Sequence, residues 1–136
     1  MSIEVMVRQM TAGFGQTCLI FFLTLIFSLP LGMIVYFGRV CRFKPLSWLV
    51  KIYISIMRGV PMLVVLFILY FGLPYVGVQL PALLCAFIGF SCVSAAYMAE
   101  IFRSSIAAVD KGQWEAARSL GLPQKSIIRR IILPQA

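Results

Sequence analysis

The stretch "QTCLIFFLTLIFSLPLGMIVYFG", Gln16 to Gly38, contains no charged residue and decides what kind of molecule this is. A helix crosses a hydrocarbon core with roughly 20 apolar residues, and here the uncharged run extends upstream as far as Gln9. A second uncharged run reaches from Gly59 to Ala99. With 62% hydrophobic and 12% charged residues over 136 positions, the chain has too little polar surface to clothe a water-soluble core. It reads as an integral membrane protein. The fold class is all-α, because helices satisfy their own backbone polar groups in lipid.

The first run is too long for the core of a signal peptide, lacks a small-residue cleavage site, and carries its positive charges behind it. It is therefore a membrane helix, and neighbouring helices make Pro30 and Gly32 tolerable within it. The second run is interrupted by "FGLPYVGVQLP", where Gly72, Pro74, Gly77 and Pro81 mark a turn. Three spans follow, at about 16–38, 56–75 and 80–102, with Pro61 in the first helical turn of the second. Residues 1–136 then form a membrane domain, closed by a segment at about 111–136.

The basic residues assign the sides. Arg39, Arg42, Lys44, Lys51 and Arg58 lie between spans one and two, while Arg103, Lys111, Arg118, Lys125, Arg129 and Arg130 follow span three. The N-terminus has Arg8 balanced by Glu4, and the turn between spans two and three has no charge. The positive-inside rule puts the N-terminus outside and the closing segment in the cytoplasm. Topology thus accounts for the net charge of +8 without nucleic acid. "PLSWLVKIYISIMRG", Pro45 to Gly59, is amphipathic enough to lie along the inner lipid surface, anchored by Trp48, Tyr53, Lys51 and Arg58.

Catalytic chemistry finds no support. There is no histidine, no Gly-rich phosphate loop ending in Gly-Lys-Ser/Thr, and no acid or cysteine cluster at metal spacing. Cys18, Cys41, Cys85 and Cys92 read as small packing residues. The chain is expected to bind no cofactor and to be no enzyme. Glu100, the one acid at a span's end, has Arg103 three residues on and is expected to form a local interface pair.

The closing "EAARSLGLPQKSIIRRIILPQA", Glu115 to Ala136, breaks the apolar pattern. A short helix is expected from about Gln113 to Leu120, ended by Gly121 in the left-handed conformation. Leu122 and Pro123 open a second helix, with Ile127, Ile128, Ile131 and Ile132 on one face. The first helix is too short to stand without packing. Its Glu115, Ala116, Ala117 and Ser119 are small or acidic groups that let another backbone approach closely.

This segment resembles, residue for residue, the motif of ABC importer membrane subunits: Glu-Ala-Ala, three residues, Gly, nine residues, Ile, one residue, Leu-Pro. The matching positions are Glu115, Ala116, Ala117, Gly121, Ile131, Leu133 and Pro134. "RGVPMLVVLFILYFGLP" and "AAYMAEIFRSSIAAVDKGQWEAA" are similar to permeases of the polar amino acid uptake group, and with "GQT" and the first span the resemblance covers nearly the whole chain. It implies a type I importer permease fold of five spans, of which three are present, so a truncated chain is expected. It also implies that Gln113–Gly121 is a coupling helix docked on a cytoplasmic ATP-binding subunit, with Ile131, Leu133 and Pro134 at the exit of the elbow. The implied partners are cytoplasmic ABC ATPases that hold the ATP, a second permease subunit, identical or different, an external solute-binding protein, and the lipid of the bacterial inner membrane.

Two positions depart from the family pattern: Val65 stands where many relatives carry glutamine, and Asp110 where proline is common. Two other readings compete. The closing segment also scans as a helix-turn-helix, which would make the chain a membrane-tethered DNA reader, but it has no third helix to build a core and starts close to the bilayer. The remaining alternative is a multispanning scaffold without transport.

Overall fold

A computed structural model describes residues 3–136, and every regular element among them is helical. Helix α1 (Ile3–Val40) has 38 residues, about 57 Å at 1.5 Å per residue, against a hydrocarbon thickness of about 30 Å. The expected 16–38 stretch is therefore one part of a longer rod whose first turns bear Glu4 and Arg8. Nothing between Ile3 and Gln16 stops the helix, and Glu4 in its first turn and Arg39 in its last both suit the helix dipole. Pro30 lies inside α1 without ending it.

Helix α2 (Lys44–Gly59) starts with Pro45 in its first turn, where a missing N–H costs nothing. At Val60 and Pro61 the chain bends by 106° into a segment reaching Val76. That segment is α3 (Met62–Phe67), a π-type turn (Ile68–Gly72) and a 3₁₀ turn (Leu73–Val76). Local hydrogen bonds brace the bend: the Pro61 carbonyl accepts from the amides of Val64 at 2.9 Å and Val65 at 3.4 Å. The stretch expected at 56–75 straddles this bend, so its first residues belong to α2 and the rest to the redirected segment. Gly77, at φ +82°, then closes the 3₁₀ turn in the left-handed region.

Helix α4 (Ala82–Ala108) is the centre of the molecule and is packed by α1, α2 and α3. α1 and α4 are each long and apolar enough to cross a membrane, and the bent α2–α3 pair makes a third crossing if counted as one span. Small residues set the approach. A Cβ on Gly32 of α1 would stand 2.5 Å from Cβ of Met98 and 3.2 Å from the Ala95 carbonyl oxygen, so only glycine lets α1 lie this close. On another face of α4, a Cβ on Gly89 would meet Leu66 at 2.7 Å. Ile54 of α2 packs on Ala96 and Ala99, and Tyr53 Oη donates to the Cys92 carbonyl at 2.6 Å. Many large apolar side chains face outward, among them Phe22, Ile26 and Phe67, as suits lipid for a solvent.

Candidate functional site

The elbow begins where α4 ends. Asp110 takes extended backbone geometry and its Oδ1 accepts from the Gly112 amide at 2.6 Å, the arrangement of a helix N-cap. Helix α5 (Lys111–Ser119) consequently starts two residues earlier than the composition suggests. The same contact gives Asp110 a role where relatives often have proline: it starts the helix through its side chain.

The C-terminal end of α5 closes with two paired bonds. The Gly121 amide donates to the Arg118 carbonyl at 2.9 Å and the Leu122 amide to the Ala117 carbonyl at 3.3 Å, the pattern of a Schellman cap. Gly121 has φ +71°, as its position in the sequence predicts. Helix α6 (Gln124–Ile127) follows Pro123 and passes into a π-type turn, Ile128–Ile132.

Of the expected docking residues, Glu115, Ala116 and Gly121 are exposed on the outside of the elbow. Ala117 is not. It is 2% exposed and packs with Ile127 and Ile132 in a small core completed by Ile106, Val109, Trp114 and Ile131. The four isoleucines therefore divide: Ile127 and Ile132 are buried, Ile131 is half-buried, and Ile128 points outward. The π-type turn accounts for this, because its i→i+5 bonding, as from the Leu133 amide to the Ile128 carbonyl, puts more residues in each turn and shifts those after Ile128 off the face a regular α-helix would give them. Leu133 and Pro134 are exposed at the exit. The elbow is a folded unit with Ala117 as its keystone, fastened to the end of α4 through Ile106 and Val109.

Above the elbow lies a feature that sequence reading caught only in part. Glu100 of α4 meets Arg103, as the spacing predicts: Oε1 accepts from Nε at 2.9 Å and from Nη2 at 2.6 Å. Its Oε2 accepts from Arg39 of α1 and lies 3.8 Å from Nη1 of Arg58 of α2. The Arg58 guanidinium also sits 5.6 Å from the centre of the Tyr97 ring, within range of a cation–π attraction. One carboxylate thus joins three helices. Arg39 and Arg58 are 61 and 42 residues away in sequence, and no local pattern links them.

A groove between α1 and α4, of about 490 Å³, is lined by Thr17, Thr24, Ser28, Phe90, Ser94 and Met98 among others. Thr24 Oγ1 is buried there without a hydrogen-bond partner. Among the described residues no group of His, Cys, Asp or Glu has the arrangement of a metal site.

Comparison with known proteins gives the geometry a context. Residues 28–136 match the family model described as "Binding-protein-dependent transport system inner membrane component". The chain is 52% identical over 124 residues to the "Probable amino-acid ABC transporter permease protein YckA" of Bacillus subtilis (strain 168), covering 91% of this chain and 55% of that protein. It is 39% identical over 125 residues to the arginine transport system permease protein ArtQ of the same organism, covering 91% of this chain and 57% of the relative. The chain thus spans about half the length of the curated relatives it matches. Among solved structures, one described as an amino acid ABC transporter with histidines superposes with a TM-score of 0.88 at 33% identity, over 99% of this chain and 64% of that one. The long apolar α1 and α4, the capped elbow with its Glu-Ala-Ala and Gly, and these matches lead to one assignment: the chain belongs to the family of binding-protein-dependent transport system inner membrane components.

Proposed function

We propose that this chain is part of the permease subunit of an amino-acid ABC importer in a bacterial inner membrane. The N-terminus lies outside and the elbow in the cytoplasm. Residues 1–136 contribute three crossings and the coupling segment 111–136. ATP is bound and hydrolysed by separate cytoplasmic subunits, and this chain carries no cofactor. A second permease subunit and an external solute-binding protein complete the complex, and polar amino acids are the solute class.

The observation that carries this reading is the self-contained elbow. Its own core of Ala117, Ile127 and Ile132 makes it stiff, and its attachment through Ile106 and Val109 ties it to the longest-packed membrane helix. A stiff body hung on α4 can convert a push from a partner into movement of the membrane helices. A loose loop would absorb it. On this reading Glu115 and Ala116 form the outer docking face, Ala117 keeps the two helices of the elbow together, Gly121 sets the bend, and Ile131, Leu133 and Pro134 set the exit. ATP-driven closure of the partner subunits draws the elbows together and turns the helices outward, and hydrolysis resets them.

The test is co-purification. The tagged protein is expressed in its native cells, extracted in mild detergent and examined for an associated ATPase. Recovery of the ATPase with the wild type and its loss with Glu115→Arg support docking. Gly121→Val forces a β-branched side chain into left-handed backbone, at a cost of about 1–2 kcal/mol, and is expected to abolish uptake while leaving the subunit in the membrane. Normal uptake by Gly121→Val would end the lever argument. Salt-sensitive binding of duplex DNA by the extracted protein would instead favour the DNA-reader alternative.

A further inference from the structure

The four-residue cluster at the base of the helix bundle has a property that the elbow alone does not explain. Three guanidinium groups gather on one carboxylate, and they come from three different helices. Arg39 lies one residue before the end of α1 and Arg58 one residue before the end of α2, while Glu100 and Arg103 lie on α4. Glu100 is mostly shielded, with 19% of its side chain exposed, whereas Arg58 and Arg103 are 41% and 40% exposed.

The two carboxylate oxygens do different things. Oε1 is held by Arg103 from the same helix, through both Nε and Nη2. That bidentate grip fixes the rotamer of Glu100 and aims Oε2 across the bundle. Oε2 then has two suitors, Arg39 in direct contact and Arg58 at 3.8 Å. Arg58 also rests near Tyr97, so it has a second resting place when Oε2 is taken. One interhelical cation, Arg39, is thus in direct contact with Oε2, and a second, Arg58, stands beside it in reserve.

Below the cluster, α4 runs without a break to Ala108, and Ile106 and Val109 enter the core of the elbow. Above it, apart from the Tyr53 hydrogen bond to the Cys92 carbonyl, the contacts of α1 and α2 with α4 are apolar and involve small residues: Gly32 against Ala95 and Met98, and Ile54 against Ala96 and Ala99. Such contacts hold helices together without fixing their offset along the axis. The ionic contact, like the Tyr53 bond, is directional and does fix it.

We propose that Glu100 is a positioning residue for transport, and that its Oε2 is a shared acceptor held in turn by Arg39 and Arg58 as the elbow shifts α4 against α1 and α2. The exchange gives the bundle two discrete offsets, each with the carboxylate paired, so no step leaves Glu100 bare at the edge of the lipid. This rests on the importer reading above.

The experiment uses the complete native complex, reconstituted in liposomes with its ATPase and binding protein, and measures both ATP hydrolysis and solute uptake. Arg58→Gln leaves Arg39 and Arg103 on Glu100, so the bundle stays assembled while the exchange partner is lost. The expected result is solute moved per ATP lowered about tenfold, within the usual range of coupling between sites, with hydrolysis retained. Glu100→Gln is expected to do the same more severely. Unchanged uptake per ATP in Arg58→Gln overturns the shared-acceptor proposal even if Glu100→Gln fails to assemble. A parallel fall of hydrolysis and uptake in Arg58→Gln also overturns it, since that marks a structural role alone. If the wild-type complex neither hydrolyses ATP nor imports, the importer reading itself fails, and the two failures are thereby distinct.

Discussion

Helices α1 and α4 each contain an apolar stretch long enough to cross a membrane, yet they are used in opposite ways. The most apolar window of α1 has a mean hydropathy of 2.6 and is 11% buried, while that of α4 has 1.9 and is 39% buried. The less hydrophobic helix is therefore the more central one. In water the order would be reversed, because burial there follows hydrophobicity. In lipid an outward-facing Phe or Leu loses nothing, and the positions that matter are those where small residues let helices touch. α4 has Gly89, Ala95, Ala96 and Ala99 on its packed faces, whereas α1 has Gly32 and Ser28 as its buried residues and Phe, Leu and Ile elsewhere.

This contrast can be broken most directly at the point where the two helices meet. Gly32→Leu places a side chain where even a Cβ would stand 2.5 Å from Met98. Overpacking of this kind costs about 1–3 kcal/mol, and here it is expected at the upper end, seen as a lowered Tm of the detergent-solubilised protein. Retention of the wild-type Tm would mean that α1 and α4 are not apposed at Gly32.

The elbow repeats the contrast on a smaller scale, with neighbouring alanines on opposite sides. Ala117→Leu enlarges a residue enclosed by Ile127 and Ile132 and is expected to destabilise the fold by about 1–2 kcal/mol. Ala116→Leu, on the exposed side, is expected to change stability by less than about 0.5 kcal/mol while weakening recovery of the ATPase. Equal thermal effects of the two would contradict the buried position of Ala117.

The smallest effect sharpens the comparison from the other side. A Cβ added at Gly13 of α1 meets nothing within 4 Å, so Gly13→Ala is expected to be neutral or to stabilise the helix by at most about 1 kcal/mol through its better propensity. Thermal unfolding followed by circular dichroism reads this out, and a loss of stability would show that this part of α1 is packed in the protein.

Legibility in the sequence followed how local the cause was. The helical membrane character came from uninterrupted apolar runs, and the turn before α4 from the cluster of Gly72, Pro74, Gly77 and Pro81, of which Gly77 takes the positive φ. Gly121 was readable for the same reason. The 106° redirection at Val60 and Pro61 was not, because Pro61 is equally compatible with a span that simply begins there. Nor was the π-type turn at Ile128–Ile132: isoleucines at regular helical spacing give no sign of it, so the sequence puts Ile128 on the same face as the other three, and the structure turns it outward. The Glu100 cluster shows the limit most clearly. Its Arg103 arm is three residues away and was expected, whereas the arms from Arg39 and Arg58 exist only because α1 and α2 come to rest on the same helix.

The short link between α1 and α2 has a practical consequence. Of the four thiols, that of Cys41 is exposed, Cys85 is buried, and Cys18 and Cys92 are half-covered along the apolar helices. Maleimides react with thiols that water can reach, so Cys41 is a native address for a tag. On the proposed topology, a membrane-impermeant maleimide is expected to label inverted vesicles, in which the inner face looks out, and to spare intact cells. The molecule carries a compass in its own covalent chemistry, and no engineered cysteine is needed to read which way it stands in the bilayer.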